Sequence, residues 1–476
     1  MIRGDELTIT IDGFALEGKG VARADGFVLF VSGGVPGDVM RIRLTKTKKS
    51  FAEAEIVEIL SPSVLRVPPL CRHFGVCGGC MWQHVGYNTQ LEFKRQHVAD
   101  ALERIGGFKG ITVSPALGAQ DPYFYRNKME FSFGNKWLTK EEVNAAMADG
   151  KPASDREQFA LGLHIPQRFD KVLDIDECWL QSEMSYGIVN AVRSYSLEHS
   201  LSVYSTFHHT GYLRNLVIRQ SKHTGELMVN IVTSDDNPRT ILAMKDMLLG
   251  EFPLITTIIN NITEKKSQVA IGEREKVYYG PGFITERIGA RTYRISANSF
   301  FQTNTLQAER LYDTVKRLAG LTRSDVVFDL YSGTGTIALS IADDVREVVG
   351  IESVEAAVVD AEKNAAMNGV HNCTFLLGDL KDRLTQDTAW RGCHPRPDVV
   401  IVDPPRAGMH EKVVREVLGL HPRTIIYVSC NPGTQARDLK ILCEGGEYVI
   451  GGVQPVDMFP HTNHVENVVS LSLAPM

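Results

Sequence analysis

From Arg291 onward the sequence alternates short apolar runs with helical stretches, and this alternation restricts the segment to one architecture. Val326–Leu330, Glu347–Ile351, Cys373–Leu377, Val399–Val402 and Thr424–Ser429 read as strands, with helices over Gly333–Ala342 and Val354–Asn368. Strands joined by crossover helices pair in parallel, which predicts a doubly wound α/β sheet of Rossmann type. Such sheets bind ligands at the carboxyl ends of their strands, so the residues that follow each strand are the first place to look for chemistry.

The turn after the first of these strands is Tyr331-Ser332-Gly333-Thr334-Gly335. Its glycines let backbone approach a ligand closely and aim helix N–H groups into the crevice. Residue 336 is Thr and 338 is Ala, so the dinucleotide fingerprint is absent. Glu352, ending the second strand, is placed to accept both hydroxyls of a ribose. Asp379, after the third strand, is placed to meet an adenine edge. Together these favour S-adenosylmethionine over a nicotinamide dinucleotide as the ligand.

Three further segments lie where the rim of the sheet is expected: Asp403-Pro404-Pro405-Arg406, Ser429-Cys430-Asn431-Pro432 and His464-Val465-Glu466. A thiol, a carboxylate and a methyl donor suggest methyl transfer to a pyrimidine carbon. Carbon 5 of uracil is a poor nucleophile until a thiolate adds at carbon 6, and a base must then remove the carbon-5 proton. Cys430 fits the nucleophile and Glu466, in the loop before the last strand Asn467–Leu473, fits the base. The rigid prolines would set Asp403 beside the methionine part of the donor and aim Arg406 toward substrate.

At 476 residues the chain is too long for one ordinary core, and three domains are expected: 1–62, 63–289 and 290–476. Strand-like runs at Leu7–Ile11, Phe27–Val31, Val39–Leu44 and Ala52–Leu60, with glycine turns, predict a small barrel of OB type. Arg41, Arg43, Lys46, Lys48 and Lys49 cluster there beside Phe51. The middle region is predicted to be mixed α+β, with a helix at Gln90–Ile105, strands at Lys128–Phe133, Leu216–Gln220, Glu226–Thr233 and Leu254–Asn260, and a partly helical excursion at 136–158. The net charge of −6 argues against bulk electrostatic binding of nucleic acid but leaves room for a local basic groove. With no apolar run of membrane-spanning length and no apolar leader after Met1, a cytoplasmic protein without membrane contact is expected.

The stretch Gly18-Lys19-Gly20-Val21-Ala22-Arg23 followed by Val35-Pro36-Gly37-Asp38 resembles a TRAM domain, an RNA-binding barrel of RNA-modifying enzymes. Phe301-Gln302-Thr303-Asn304, Asp329-Leu330-Tyr331-Ser332-Gly333-Thr334-Gly335, the Asp403 and Cys430 segments and His464-Val465-Glu466 resemble the RNA uracil-C5 methyltransferase family, most closely its bacterial 23S ribosomal RNA branch. The resemblance implies that Gln302, Tyr331, Glu352 and Asp403 contact S-adenosylmethionine, with Cys430 as nucleophile and Glu466 as proton acceptor. The expected substrate is a uridine of 23S ribosomal RNA, splayed from its loop into the cleft. Transfer RNA is the alternative, because the catalytic motifs are shared. A DNA cytosine enzyme is disfavoured because Ser, not Pro, precedes the cysteine. A non-catalytic RNA-binding iron–sulfur protein is disfavoured by the intact Cys430 and Glu466. No obligate protein partner is expected.

Of the 8 cysteines, Cys71, Cys77, Cys80 and Cys178 lie before the Rossmann segment. In Cys71-x5-Cys77-x2-Cys80, glycines at 75, 78 and 79 let a loop wrap a metal centre. Four thiolates hold either tetrahedral zinc or a [4Fe–4S] cluster, and spacing leaves both open. The spacing is not the Cys-x3-Cys-x2-Cys of radical enzymes. The family resemblance implies a [4Fe–4S] cluster on these four cysteines, structural or RNA-positioning in role.

Overall fold

The computed structural model describes residues 1–138, 142, 159–166, 168–266, 270–385 and 392–474. The excursion expected at 136–158 lies outside them beyond residue 138, apart from residue 142. The chain forms two compact units: Met1–Leu70 with Cys80–Pro122 and Gln307–Met476, and Cys71–Gly79 with Tyr123–Leu306.

The first unit opens with a six-stranded sheet over residues 6–61, with Leu29, Met40, Ile42, Leu44 and Ala52 in its core. One of its strands, Gly20–Ala24, falls within a segment that reads as glycine turns; Ala22 is nonetheless fully buried and pairs with Leu29. The basic run on Val39–Thr47 faces carboxylates across the strand pairs. Arg41 meets Glu58 at 2.8 Å, Arg43 meets Glu6 at 2.7 Å, and Lys46 meets Glu53 at 2.9 Å. Much of that expected basic patch is therefore neutralised within its own sheet.

The doubly wound sheet occupies the end of the same unit. Its strand order is Cys373–Leu377, Glu347–Glu352, Val326–Leu330, Val399–Val402, Thr424–Ser429, Glu466–Leu473, Tyr448–Val456. The first five run parallel and the last two antiparallel to their neighbours. The order reverses at Val326–Leu330, so the ligand crevice opens between that strand and Val399–Val402. The strands are almost wholly apolar, as burial on both faces requires. The helix Tyr87–Arg104 packs Val98, Ala101 and Leu102 into this core.

The second unit holds a seven-stranded sheet from Arg274–Tyr279 through Thr257–Ile262, Leu227–Thr233, Leu213–Gln220, Lys128–Asn135 and Phe159–Ile165 to Arg168–Asp174. It also carries helices Glu183–Glu198 and Pro238–Glu251, beyond the elements expected for this region. Among the described residues no helix is long and apolar enough to cross a membrane.

Candidate active site

The turn Tyr331–Gly335 has the shape that its residues predict. Tyr331, Gly333 and Gly335 take positive φ of 66°, 54° and 77°. A side chain on Gly335 would strike Phe375, whereas Gly333 faces open space. Glu352 ties the second strand to this turn, its Oε2 accepting from the Gly333 N–H at 3.0 Å and its Oε1 from the Val354 N–H at 2.8 Å. Tyr331 is half-buried, and burial, with repulsion from Asp379, pushes its phenol up to about 12. Asp379 is exposed and accepts from the Lys381 N–H at 2.9 Å at the start of the following short helix.

Two polar groups that were not singled out complete the crevice. Asp329 is fully buried; its Oδ2 accepts from the Ala338 N–H at 3.1 Å and its Oδ1 has no partner. The buried Ser332 hydroxyl also has none. Burial pushes Asp329 up to about 8, and Asp403 adds to the shift. Burial alone pushes Asp403 up to about 7. Unsatisfied buried polar atoms at a switch point, beside carboxylates deprived of solvent, suit a polar and cationic ligand such as a sulfonium nucleoside. The residues thus fit S-adenosylmethionine on geometry. Gln302 lies in the second unit, where its carbonyl accepts from Asn127 Nδ2 at 2.7 Å.

Cys430 and Glu466 are brought together by sheet register. The antiparallel pair aligns Ser429 with Asn467. Cys430 follows and Glu466 precedes this pair, near enough that Glu466 raises the thiol, and the reversed final strand starts at the rim where the parallel strands end. Gln435 locks this junction from the helix Pro432–Cys443, donating to the carbonyls of Tyr427 and Asn467 at 2.9 and 3.1 Å and accepting from Asn467 Nδ2 at 2.7 Å. Asn431 caps that helix through Gly433 and Thr434, with Pro432 in its first turn. These fixed contacts explain why a polar turn follows the thiol directly.

The electrostatics of the pair are opposed. Burial, with Glu466 adding and the Arg406 guanidinium subtracting, pushes Cys430 up to about 11. Glu466 is only 6% exposed. Burial pushes it up to about 8, with Asp403 adding and Arg406 subtracting. Arg406 also donates to His464 Nδ1 at 2.7 Å, and its carbonyl accepts from Asn431 Nδ2 at 3.2 Å, so all three rim segments meet through one residue. An arginine that favours the thiolate beside a carboxyl poised near neutrality can support addition to an electrophilic ring and later removal of a proton. Arg406→Gln should slow alkylation of Cys430 by iodoacetamide about 10-fold at fixed pH, the effect of one pKa unit. Peptide mass spectrometry reads this, and an unchanged rate would remove Arg406 from control of the thiol.

The loop leading to Glu466 is braced from below. Lys94 and Asp457, both fully buried, pair at 2.6 Å, and Tyr87 donates to the same carboxylate at 2.9 Å. Gln90 accepts from the His461 N–H at 3.0 Å, and His461 itself sits at φ 64°. Asn463 donates to the Leu16 carbonyl of the N-terminal sheet at 2.8 Å, and a side chain at Gly18 would run into Met81 and Asn463. Lys94→Met should cost about 3–5 kcal/mol, because it leaves Asp457 charged and buried without its cation. Urea unfolding measures this, and a loss below about 1 kcal/mol would show that Tyr87 suffices.

The cysteine-rich loop is divided between the units. Cys71, Cys77 and Cys178 fall in the second, near enough that Cys178 and Cys71 both raise Cys77, which burial pushes up to about 12. Gly79 donates its N–H to Cys77 Sγ at 3.3 Å. Cys80 falls in the first unit and accepts from Gln83 Nε2 at 3.2 Å. Among the described residues no group of three or more His, Cys, Asp or Glu is arranged to hold a metal ion. The four-cysteine centre expected at Cys71, Cys77, Cys80 and Cys178 is therefore not displayed as an assembled ligand set.

A doubly wound sheet with this turn, two trailing antiparallel strands and an acidic crevice defines a Rossmann-type methyltransferase. The family model described as tRNA (Uracil-5-)-methyltransferase matches residues 265–474, and that of the TRAM domain matches residues 2–57. An uncharacterized RNA methyltransferase of Chlorobaculum tepidum is 44% identical, the match covering 99% of this chain and 97% of that protein. One of Bacteroides thetaiotaomicron is also 44% identical, covering 96% and 100%. Among solved structures, the Pyrococcus abyssi tRNA (uracil-54, C5)-methyltransferase in complex with S-adenosyl-L-homocysteine superposes with a TM-score of 0.74 at 32% identity, over 98% of this chain and 99% of that one. The chain belongs to the RNA uracil-5-methyltransferase family and carries an N-terminal TRAM domain.

Proposed function

We propose that this enzyme methylates carbon 5 of a uridine in 23S ribosomal RNA, with Cys430 as nucleophile and Glu466 as proton acceptor. The observation that carries the reading is that Cys430 and Glu466 flank the Ser429–Asn467 strand pair at the rim of the donor crevice, near enough that Glu466 raises the thiol. Tyr331, Glu352, Asp379 and Asp403, with Gln302, are the residues proposed to hold S-adenosylmethionine, which supplies an electrophilic methyl group on a sulfonium.

Cys430 loses its proton to solvent, and the thiolate, favoured by the Arg406 guanidinium, adds through Sγ to carbon 6 of the ring. The electrons of the 5,6 double bond move onto the carbon-4 oxygen, which makes carbon 5 nucleophilic. Once carbon 5 carries the methyl group, Glu466 accepts its proton, the double bond re-forms and Cys430 departs as thiolate. Burial of Glu466 suits this order, since a carboxyl raised toward neutrality takes a proton more readily than an ordinary one.

The choice of 23S ribosomal RNA is supported by the pattern of motifs and cysteines along the chain. A second reading, transfer RNA, is favoured by the likeness to the Pyrococcus abyssi tRNA (uracil-54, C5)-methyltransferase. Mapping 5-methyluridine in both RNAs from a deletion strain separates them. Loss from 23S ribosomal RNA, restored by the wild-type gene and not by Cys430→Ala, is expected; loss confined to transfer RNA would replace the first reading with the second.

A [4Fe–4S] cluster on Cys71, Cys77, Cys80 and Cys178 belongs to the same proposal. Its support is the mutual influence of the three thiols in the second unit and the N–H donated to Cys77. Thiolates around a four-iron cube stand farther apart than around one tetrahedral ion. Anaerobic purification should give a brown protein with about four irons per chain; stoichiometric zinc without visible absorbance would contradict it. A cytoplasmic location accords with an RNA substrate.

A further inference from the structure

The second unit carries an exposed aromatic loop whose features the methyl-transfer chemistry does not use. Ser205 and Thr210 bridge its base, the Ser205 N–H donating to the Thr210 carbonyl at 2.7 Å. Gly211, at φ 108°, closes it against the Val203 carbonyl, where no side chain would fit. At the tip Phe207 is 84% exposed, with the His208 ring edge-on at 4.9 Å. Phe207 thus presents an exposed ring on an ordered loop, where a flat partner can stack.

Beside the loop lies a shallow open cleft lined by Tyr204, Thr206, Arg214, Asn215, Ser132, His164 and Phe133. Arg214 is 5% exposed, with its guanidinium carbon 4.0 Å over the Tyr204 ring. It is fixed there by donating to the carbonyls of Thr263 and Lys265 at 3.2 and 2.8 Å. Asn215 donates to Ser132 Oγ at 3.3 Å. His164 Nδ1 lies 3.3 Å from the Lys171 carbonyl, which accepts from it. An amide, a hydroxyl, an imidazole and a guanidinium stacked on Tyr204, beside the Phe133 ring, give a shallow cleft of mixed character that suits the flat face and polar edge of a nucleobase.

We infer that the Tyr204–His209 loop and this cleft form a second RNA site, which seats an unpaired base of the substrate while Phe207 stacks on its neighbour. The inference rests on the RNA methylation proposed above. It is favoured by charge: the protein carries a net −6 and much of the basic run of its N-terminal sheet is paired with glutamates, so grip by phosphate attraction is limited. Stacking on exposed rings works without it and selects single-stranded loops over duplex.

The test uses the full-length protein and a synthetic RNA hairpin with an unpaired, uridine-containing loop carrying 2-aminopurine, beside a blunt duplex of the same length. Phe207→Ala should weaken hairpin binding about 10-fold or more and relieve 2-aminopurine quenching, with Phe207→Trp restoring both. Duplex binding and S-adenosylhomocysteine binding should not change. Because Phe207 is exposed, these substitutions leave the fold intact. Hairpin affinity and quenching within twofold of wild type would overturn the inference. Trapping of 5-fluorouridine RNA on Cys430 is scored in parallel. If wild type traps RNA but Phe207→Ala binds normally, this site falls and the proposed function stands; if wild type binds no RNA at all, both fall.

Discussion

Cys430→Ala should reduce 5-methyluridine formation to background while S-adenosylhomocysteine still binds with wild-type affinity. The expected loss is several orders of magnitude, because without the thiol carbon 5 is never activated and no neighbouring group replaces it. Folding should be preserved. The Cys430 side chain is only half-buried, and the junction is held by Gln435, Asn431 and Asn467. Binding is separable because the crevice formed by Tyr331, Glu352 and Asp329 lies around a different strand end. Isothermal titration and a tritiated-methyl assay on the same preparation make the comparison. Retention of more than about 1% activity would put the nucleophile elsewhere.

Glu466→Gln should separate addition from elimination. Glutamine keeps the size of the side chain and removes the proton acceptor, so turnover should fall by about 10²–10⁴. Methylated RNA should remain joined to Cys430 as a species resistant to denaturing electrophoresis. The same substitution removes the neighbour that raises the thiol, so Cys430 should be alkylated faster than in wild type. The pH dependence follows in sign. Glu466 accepts a proton only as carboxylate and is raised to about 8, so wild-type kcat/KM should climb with pH through that region. In Glu466→Gln the inflection near 8 should be lost, leaving only the rise that follows ionisation of Cys430. An unaltered profile with turnover retained would assign the base to another group.

The sheet and its rim were legible because their signals are local. Apolar runs mark the buried parallel strands, glycines mark the turn at 333 and 335, and Pro432 after Asn431 marks a helix start. What stayed hidden depends on pairing across the chain. Gln435 reads as an ordinary helix residue until two strands arrive beside it. Asp329 stands within the quoted motif, yet only three-dimensional burial leaves one of its oxygens without a partner. Lys94 looks like a surface lysine on a polar helix and is wholly buried against a residue more than three hundred positions away. The strand at Gly20–Ala24 was obscured by glycines needed for close packing, Gly20 against Gly34. The basic run was seen, but its glutamate partners lie on other strands.

The most direct measurement of the central claim is covalent trapping with 5-fluorouridine RNA and S-adenosylmethionine. Fluorine at carbon 5 cannot leave as a proton, so addition and methylation proceed but elimination does not. The account predicts a protein–RNA adduct that maps by peptide mass spectrometry to Cys430, carries a methyl group and is absent from Cys430→Ala. An adduct on another cysteine, or full turnover of ordinary uridine RNA with no adduct from the fluorinated one, would contradict it.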